Sequence, residues 1–205
     1  MDFTRLEHAV EGCPFGEAET SVHEKLLSVV AEAVAEAGPF GVSMDMVAKK
    51  MGFSKSSLYA HFPNKAGMVK EYIITEIKRV AAYAERCTLL SDLAHEQLYL
   101  AIIGIAQYLR TNPNILRTID KLRLQKPEFK KHRVKKMNPV AQIHAIFSQI
   151  KTENGACMIN ERDTEWILFL IVNLLLHRPK KLRYSDVSNE SFRILFQFIA
   201  GGIKE

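Results

Sequence analysis

The chain contains 205 residues with a formal net charge of +5, and 47% of its residues are hydrophobic while 25% are charged. This balance is typical of a globular protein of one or two domains with a sizeable core. The longest largely apolar stretch, Trp166 to Leu176, contains Asn173 and is shorter than the run of about 18 apolar residues that crosses a membrane. We therefore expect no membrane partner.

The cysteines and the N-terminus indicate a reducing compartment. Cys13, Cys87 and Cys157 are odd in number and far apart, without the spacing of metal ligands or of a disulfide framework. The first residues include several acids and lack the apolar core of a secretory signal. We therefore predict a cytoplasmic protein that holds no metal or cofactor.

The positive charge is unevenly distributed along the chain. Up to Phe62 there are five basic residues against nine acidic ones, and most of the excess lies between Arg110 and Lys136. The basic run 130–136 is interpreted as a solvated helix face or loop, with a nucleic-acid patch or a contact with anionic lipid as alternatives. The excess positive charge is therefore concentrated in the second half of the chain.

The N-terminal part predicts an irregular segment followed by a helix. Over residues 1–19, glycine and proline interrupt any helical period. Thr20 or Ser21 should begin the helix, Ser21 and Glu24 have the spacing of a capping box, and Gly38 with Pro39 should end it.

Residues 41–65 predict two short helices joined by a glycine turn. Ser43 can cap the first helix, and Gly52 lies just past its end, where a positive φ reverses the chain. Ser54 can cap the second helix, which should run to residue 61. A helix-turn-helix of this kind places its second helix in the major groove of DNA.

The outward-facing residues of the second helix carry groups that bind DNA. Lys55, Ser56 and Ser57 occupy the first turn, which reaches base edges when such a helix enters the groove. Tyr59 and His61 follow. An amine, hydroxyls, a phenol and an imidazole can all form hydrogen bonds with phosphates or base edges. Each residue alone could be an ordinary solvated one, but the ordered set predicts DNA binding.

This segment resembles the DNA-binding domain of the tetracycline-repressor (TetR) family. The resemblance covers roughly residues 20–68 and is carried by Gly41, Ser43, Val47, Ala48, Gly52, Ser54, Ser57, Leu58, Tyr59, His61, Phe62 and Lys65. It implies an all-α homodimer with a three-helix DNA-binding domain. A larger C-terminal domain would bind a ligand and dimerise.

The resemblance also implies roles for single residues. Lys55 and Ser56 fall where the family reads bases. The residues that fall where it holds phosphates are Ser43, Ser57, Tyr59, His61 and Lys65, with Met44 nearby. Asp45 departs from the pattern, because some relatives carry a basic or polar groove contact at its position.

The remaining sequence predicts further helices. They should run from Asn64 to about Cys87, from Ser91 or Asp92 to Thr111, from Asn114 to about Lys126, from Pro139 to about Glu153, from Thr164 (capped by Asp163) to His177, and from Ser188 to Ile203. The predicted organisation is an extension over 1–19, a DNA-binding domain over 20–66, and a ligand-binding and dimerisation domain over 67–205.

Two functional surfaces are expected in the C-terminal domain. The last two helices are the most apolar, which fits a subunit interface or the core of a monomer. The resemblance implies the interface, and its candidate residues are Trp166, Phe169, Leu170, Asn173, Leu174, Phe192, Leu195, Phe196 and Ile199. Candidate ligand contacts, each also explicable as core packing, are Tyr99, Gln107, Tyr108, His144, Phe147 and Trp166.

Common catalytic signatures are missing from the sequence, which contains no GxSxG elbow, HExxH pair or glycine-rich phosphate loop. An enzyme is therefore not expected. The predicted function is a ligand-responsive transcriptional regulator, a repressor rather than an activator. It would bind palindromic operator DNA as a homodimer and respond to a small lipophilic effector. The alternative is a ligand-binding or protein-interaction module of the same fold that has lost specific DNA binding.

Overall fold

The computed structural model describes residues 1–15, 21–124, 139–151, 159–176 and 188–202. These ranges contain ten helices, which confirms the predicted all-α class. They are α1 Phe3–Glu11, α2 Val22–Gly41, α3 Met44–Met51, α4 Lys55–His61, α5 Lys65–Thr88, α6 Ala94–Thr111, α7 Pro113–Leu124, α8 Pro139–Phe147, α9 Glu161–Leu176 and α10 Asn189–Gly202.

The helices belong to two compact units. The head unit comprises the described residues within 16–76 and 112–137, and the body unit comprises those within 1–15, 77–111 and 138–205. Helix α5 contributes residues to both units. Helix α7 falls in the head unit because it packs against α2, although its sequence position is within the predicted domain 67–205.

The head unit is built on α2, which begins and breaks at the predicted residues. Ser21 Oγ accepts a hydrogen bond from the Glu24 backbone N–H at 3.1 Å. At Gly38 the backbone takes φ 80° and ψ 164°, a conformation that suits glycine, and Pro39 follows. The apolar side of α2, including the fully buried Leu26, packs against α3 and α7. This packing makes α2 the support for the helix-turn-helix.

The body unit encloses α6, whose residues from Leu98 to Ala106 are all buried. Helices α1, α8, α9 and α10 pack around it. The sequence predicted that the last two helices, which are the most apolar, form a subunit interface or the core of a monomer. Within one protomer α9 is not completely enclosed, because Trp166 is 58% exposed and Phe169 is 50% exposed.

The sequence predicts an irregular segment over residues 1–19, and this prediction is wrong for α1. Asp2 Oδ1 caps this helix by accepting from the Arg5 N–H at 3.0 Å, and Leu6 and Val10 are buried at i, i+4 spacing. The glycine and proline signals lie beyond the helix rather than within it, since Gly12 is its C-cap. Packing against α6 supplies the stability that so short a helix lacks by itself.

Two helix ends in the body unit also differ from the expectations. Helix α9 begins earlier than predicted, because Asn160 Oδ1 accepts from the Asp163 N–H at 2.9 Å and so acts as the cap. Helix α8 ends at Phe147 rather than near Glu153. In the described part of the chain, no helix combines the length and the apolarity that crossing a lipid bilayer demands.

Candidate nucleic-acid interface

The first helix of the motif and its turn follow the local sequence signals. Ser43 Oγ accepts from the Met46 N–H at 3.2 Å and caps α3. Gly52 has φ 68°, and the next N–H, from Phe53, donates back to the Ala48 carbonyl at 2.9 Å. This left-handed turn satisfies carbonyls at the helix end, and it allows α4 to begin three residues later. The predicted glycine turn is confirmed.

The second helix, α4, is capped and anchored as the sequence indicates. Ser54 Oγ accepts from the Ser57 N–H at 3.1 Å, and it lies 2.8 Å from the hydroxyls of both Ser56 and Ser57. Leu58 and Phe62 are fully buried at i, i+4 spacing. These two side chains hold one side of a seven-residue helix on the head unit and leave its other side to solvent.

Polar side chains cover the solvent-facing side of α4. Lys55, Ser56, Ser57, Tyr59 and His61 are all exposed, and 51% of Tyr59 is accessible although it is a large aromatic residue. An exposed tyrosine on a short helix offers both an apolar ring and a hydroxyl to a partner. The structure therefore presents five of the eight predicted DNA-binding residues together on one exposed helix.

The other three predicted residues have different surroundings. Ser43 is half-buried and its hydroxyl caps α3, so its side chain has a structural role. The side chain of Met44 is buried in the core of the head unit, which leaves it unable to contact DNA from its present position. Lys65 is half-buried, and its Nζ donates a hydrogen bond to the Phe40 carbonyl.

Ion pairs surround the motif, although no sequence pattern indicated them. Lys55 Nζ lies 2.8 Å from Asp45 Oδ2, so the first residue of α4 is linked to the first turn of α3. Lys50 Nζ lies 2.6 Å from Glu36 Oε1 and 3.8 Å from Glu32 Oε2. Hydrogen bonds to these carboxylates, together with their charge, raise the pKa of Lys55 and of Lys50. Both lysines are therefore cationic at neutral pH.

These pairs link helices that are adjacent in space, so periodicity along one helix could not have indicated them. Exposed ion pairs are weak in water and exchange partners readily. The lysines near the motif thus remain able to bind phosphates or bases, but they do so in competition with acids of the same head unit.

The candidate ligand residues differ in burial and in their contacts within the body unit. Tyr99 is buried and its hydroxyl donates to Glu7 Oε1 at 2.6 Å, while Tyr108 and Phe147 are also buried. The others differ among themselves: Gln107 is half-buried, His144 Nδ1 lies 3.0 Å from Thr164 Oγ1, and Trp166 is mostly exposed. Core packing therefore describes the three buried aromatic residues, and a ligand site at these positions stays a prediction.

The candidate interface residues divide into inner and outer sets. Phe192, Leu195 and Phe196 are buried within one protomer. Leu170, Asn173, Leu174 and Ile199 are half-buried, and Trp166 and Phe169 are exposed with their rings 5.9 Å apart. The structure adds two exposed apolar residues of α10 that sequence reasoning missed, Ile194 and Phe198. Their i, i+4 spacing was the available signal. We call Trp166, Phe169, Ile194 and Phe198 the outer apolar set.

Comparisons with known proteins agree with this geometry. Residues 26–72 match a family described as bacterial regulatory proteins, tetR family. FadR from Bacillus subtilis, solved in complex with stearoyl-CoA, is similar in fold with a TM-score of 0.67 at 18% identity, over 85% of this chain and 97% of FadR. The TetR-family regulator PfmR from Thermus thermophilus gives a TM-score of 0.58 at 21% identity, over 88% of this chain and 100% of PfmR. A comparison with curated protein sequences gives no significant match.

The family match begins within α2 and ends within α5, so it includes both helices of the motif and the turn between them. The two solved structures are too distant in sequence to show more than the fold, but that fold extends over the body helices as well. Residues 26–72 therefore match the helix-turn-helix domain of the tetR family of bacterial regulatory proteins, and the chain shares the all-helical fold of the two solved structures.

Proposed function

We propose that this protein is a ligand-responsive repressor that binds palindromic operator DNA as a homodimer. The observation that carries the proposal is the exposed polar side of α4, held in place by the buried Leu58 and Phe62. In a dimer, two such helices enter successive major grooves about 34 Å apart, so the operator is palindromic. A repressor acts where the chromosome is, and cytoplasmic residence is part of the proposal.

The proposed effector is a small lipophilic molecule that binds in the body unit. FadR, similar in fold, was solved with stearoyl-CoA, which supports a long acyl chain as the effector class for this chain too. The continuous helix α5 carries residues of both units and is the proposed route of the signal. In one state of the protein the recognition helices are misplaced for the operator. An effector that binds this state more tightly than the DNA-binding state by a few kcal/mol is sufficient to release the operator.

A second candidate function is a ligand-binding or interaction module without specific DNA binding. The observation in its favour is the intramolecular pairing of Lys50 and Lys55 with acids, and of Lys65 with a backbone carbonyl. Non-specific DNA affinity grows with the number of phosphates that cations neutralise, and these partners reduce that number. The two functions differ in whether DNA is bound at physiological salt.

The proposed function is tested by measuring the affinity for an inverted repeat from the DNA upstream of the coding region. Fluorescence anisotropy from about 50 to about 200 mM salt should give a log-linear fall in affinity. Tyr59→Phe should weaken binding to all sequences similarly, whereas Lys55→Ala should relax base preference at one position of each half-site. Lys78→Ala, which removes an exposed charge from the body unit, is the matched control.

Absence of salt-dependent binding would favour the interaction module. Equal binding by the parent, Tyr59→Phe and Lys55→Ala would show that the assigned residues are wrong. Adding stearoyl-CoA to the bound complex, with coenzyme A alone as its control, tests the effector class in the same assay. Release by stearoyl-CoA only is the expected result.

A further inference from the structure

Two oppositely charged side chains stand together at the exposed end of the motif. Asp45 is the second residue of α3 and Lys55 is the first residue of α4. Lys55 Nζ lies 2.8 Å from Asp45 Oδ2, and the two side chains are 67% and 61% exposed. The first turn of a recognition helix reaches base edges in the major groove. The carboxylate of Asp45 therefore arrives at the bases together with the amine of Lys55.

A carboxylate in the major groove has a restricted choice of partners. Phosphate oxygens repel it, whereas the exocyclic amino groups of cytosine and adenine donate hydrogen bonds to it. An amine in the same groove needs acceptors, which guanine provides as O6 and N7 and thymine provides as O4. The ion pair is thus complementary to a base pair that presents an acceptor beside a donor.

The dimensions of a guanine–cytosine pair match those of the ion pair. Guanine O6 accepts a Watson–Crick hydrogen bond from cytosine N4, so the two atoms lie about 2.9 Å apart. The amino group of cytosine keeps a second hydrogen that points into the major groove. Lysine and carboxylate groups whose charged atoms are 2.8 Å apart can therefore contact O6 and N4 of one pair side by side.

A thymine–adenine pair also presents an acceptor beside a donor, but its flanking groups are less favourable. On the lysine side, guanine N7 adds a second acceptor, whereas thymine places its methyl group there. On the carboxylate side, adenine N7 is an acceptor that repels the carboxylate, and cytosine has only a C–H at the corresponding place. Both differences favour guanine–cytosine.

We propose that Asp45 is a base-reading residue, and that Asp45 and Lys55 together recognise one guanine–cytosine pair in each half-site. Lys55 donates to guanine, and Asp45 accepts from the N4 amino group of cytosine. The ion pair keeps both side chains oriented before DNA arrives, and contact with the base pair satisfies both charges in place of water. The inference rests on the proposed operator binding and names the sequence that the operator must contain.

The test is a selection of bound sites from a random DNA library, followed by affinity measurements on the selected palindrome. The parent should select a palindrome with one dominant guanine–cytosine pair in each half-site. Replacing that pair by thymine–adenine should weaken binding about tenfold or more. Asp45→Ala should retain the palindrome and lose most of this discrimination.

Asp45→Asn distinguishes base reading from a merely structural role of Asp45. Asparagine forms a bidentate contact with adenine N6 and N7, so this variant should shift its preference to a pair with adenine in place of cytosine. Glu32→Ala is the matched control, because it removes another exposed carboxylate of the head unit that lies near a lysine. Its selected site should equal that of the parent. Thermal unfolding of each variant confirms that it is folded.

Two results overturn the inference, and they are distinguishable. If Asp45→Ala binds every sequence more tightly with unchanged base preference, Asp45 only repels phosphates, and the proposed operator binding survives. If the parent selects no palindrome at all, the proposed function fails and the inference fails with it.

Discussion

Glu7 is a buried carboxylate of α1 that holds the N-terminal helix on the body unit. Arg193 donates to its two oxygens at 2.7 and 2.8 Å, and the Tyr99 hydroxyl donates at 2.6 Å. Burial by itself raises the pKa of Glu7, but the hydrogen bonds from Arg193 and Tyr99 outweigh burial and lower it below the ordinary 4.5. The ionised form is therefore the one that stabilises the fold.

Stability should consequently depend on the ionisation of Glu7. Its contribution is complete above the unfolded value of 4.5 and is lost as pH falls through 4.5 towards the lower pKa of the folded state. Glu7→Gln should cost about 2 kcal/mol at neutral pH, the scale of hydrogen bonds to a charged group. It should also flatten the pH dependence of the unfolding free energy below about pH 5. Urea unfolding followed by circular dichroism over a pH series measures both effects.

Glu11→Gln is the control for this experiment, because it removes a carboxylate of the same helix that is 58% exposed. It should change stability by less than about 0.5 kcal/mol. An unchanged pH slope in Glu7→Gln would show that the acid sensitivity arises elsewhere, for example at Glu96. A hydrogen bond from Ser91 lowers the pKa of that second carboxyl against the effect of its burial, and Arg5 contributes to the lowering.

At the scale of the helix, the sequence predicted those features whose causes lie within a few residues. Ser21, Ser43 and Ser54 are caps because each hydroxyl reaches an N–H three residues ahead, and Gly52 is a turn because of its own φ. Helix α1 was missed because packing against another helix decides its existence. No local pattern indicates the ion pair between Asp45 and Lys55 either, because it forms only when α3 and α4 pack together. The sequence therefore indicated the exposed helix α4 and the unusual Asp45, but not the ion pair between Asp45 and Lys55.

The contact between α5 and α6 in the body unit depends on Gly104, which has no side chain. A Cβ at this position would lie 2.9 Å from Cys87 Sγ, 3.1 Å from Cys87 Cβ and 3.4 Å from the Ala84 Cα. Both partners are in α5, and both are fully buried. The small residue thus sets how closely these two helices approach, which no helical propensity would indicate.

Gly104→Ala should therefore destabilise the protein although alanine is the better helix former. Overpacking costs about 1–3 kcal/mol, which exceeds the gain of about 1 kcal/mol from helix propensity. Urea unfolding should show the loss, and Cys87→Ala in the same chain should recover part of it by removing the sulfur. Gly41→Ala is the control, because its Cβ would meet only Ala37 Cβ at an ordinary 3.4 Å. Full stability in Gly104→Ala would mean that the two helices can separate freely.

At the scale of the whole molecule, the outer apolar set is a feature that a single protomer does not explain. Helices α9 and α10 pack against each other, and each exposes two large apolar residues to solvent. The inner residues Phe192, Leu195 and Phe196 already complete the core of the protomer from the same helices. A second copy that covers the outer apolar set would bury it and would bring two head units to one palindrome. The proposed homodimer accordingly depends on the outer residues rather than on the inner ones.

Phe198→Glu tests this dependence, since Phe198 is 77% exposed and its replacement leaves the core of the protomer intact. Burying a glutamate in an apolar interface should weaken dimerisation by about thirtyfold or more, the scale of an interface hot spot. Analytical ultracentrifugation should find the parent as a dimer and the variant as a folded monomer with an unchanged circular dichroism spectrum. Gln197→Glu, one residue away and also exposed, adds the same charge and should remain dimeric. Because a monomer contacts only one half-site, Phe198→Glu should also lose the preference for a palindrome over a single half-site. A variant that stays dimeric with unchanged operator affinity would place the subunit interface on another surface of the body unit.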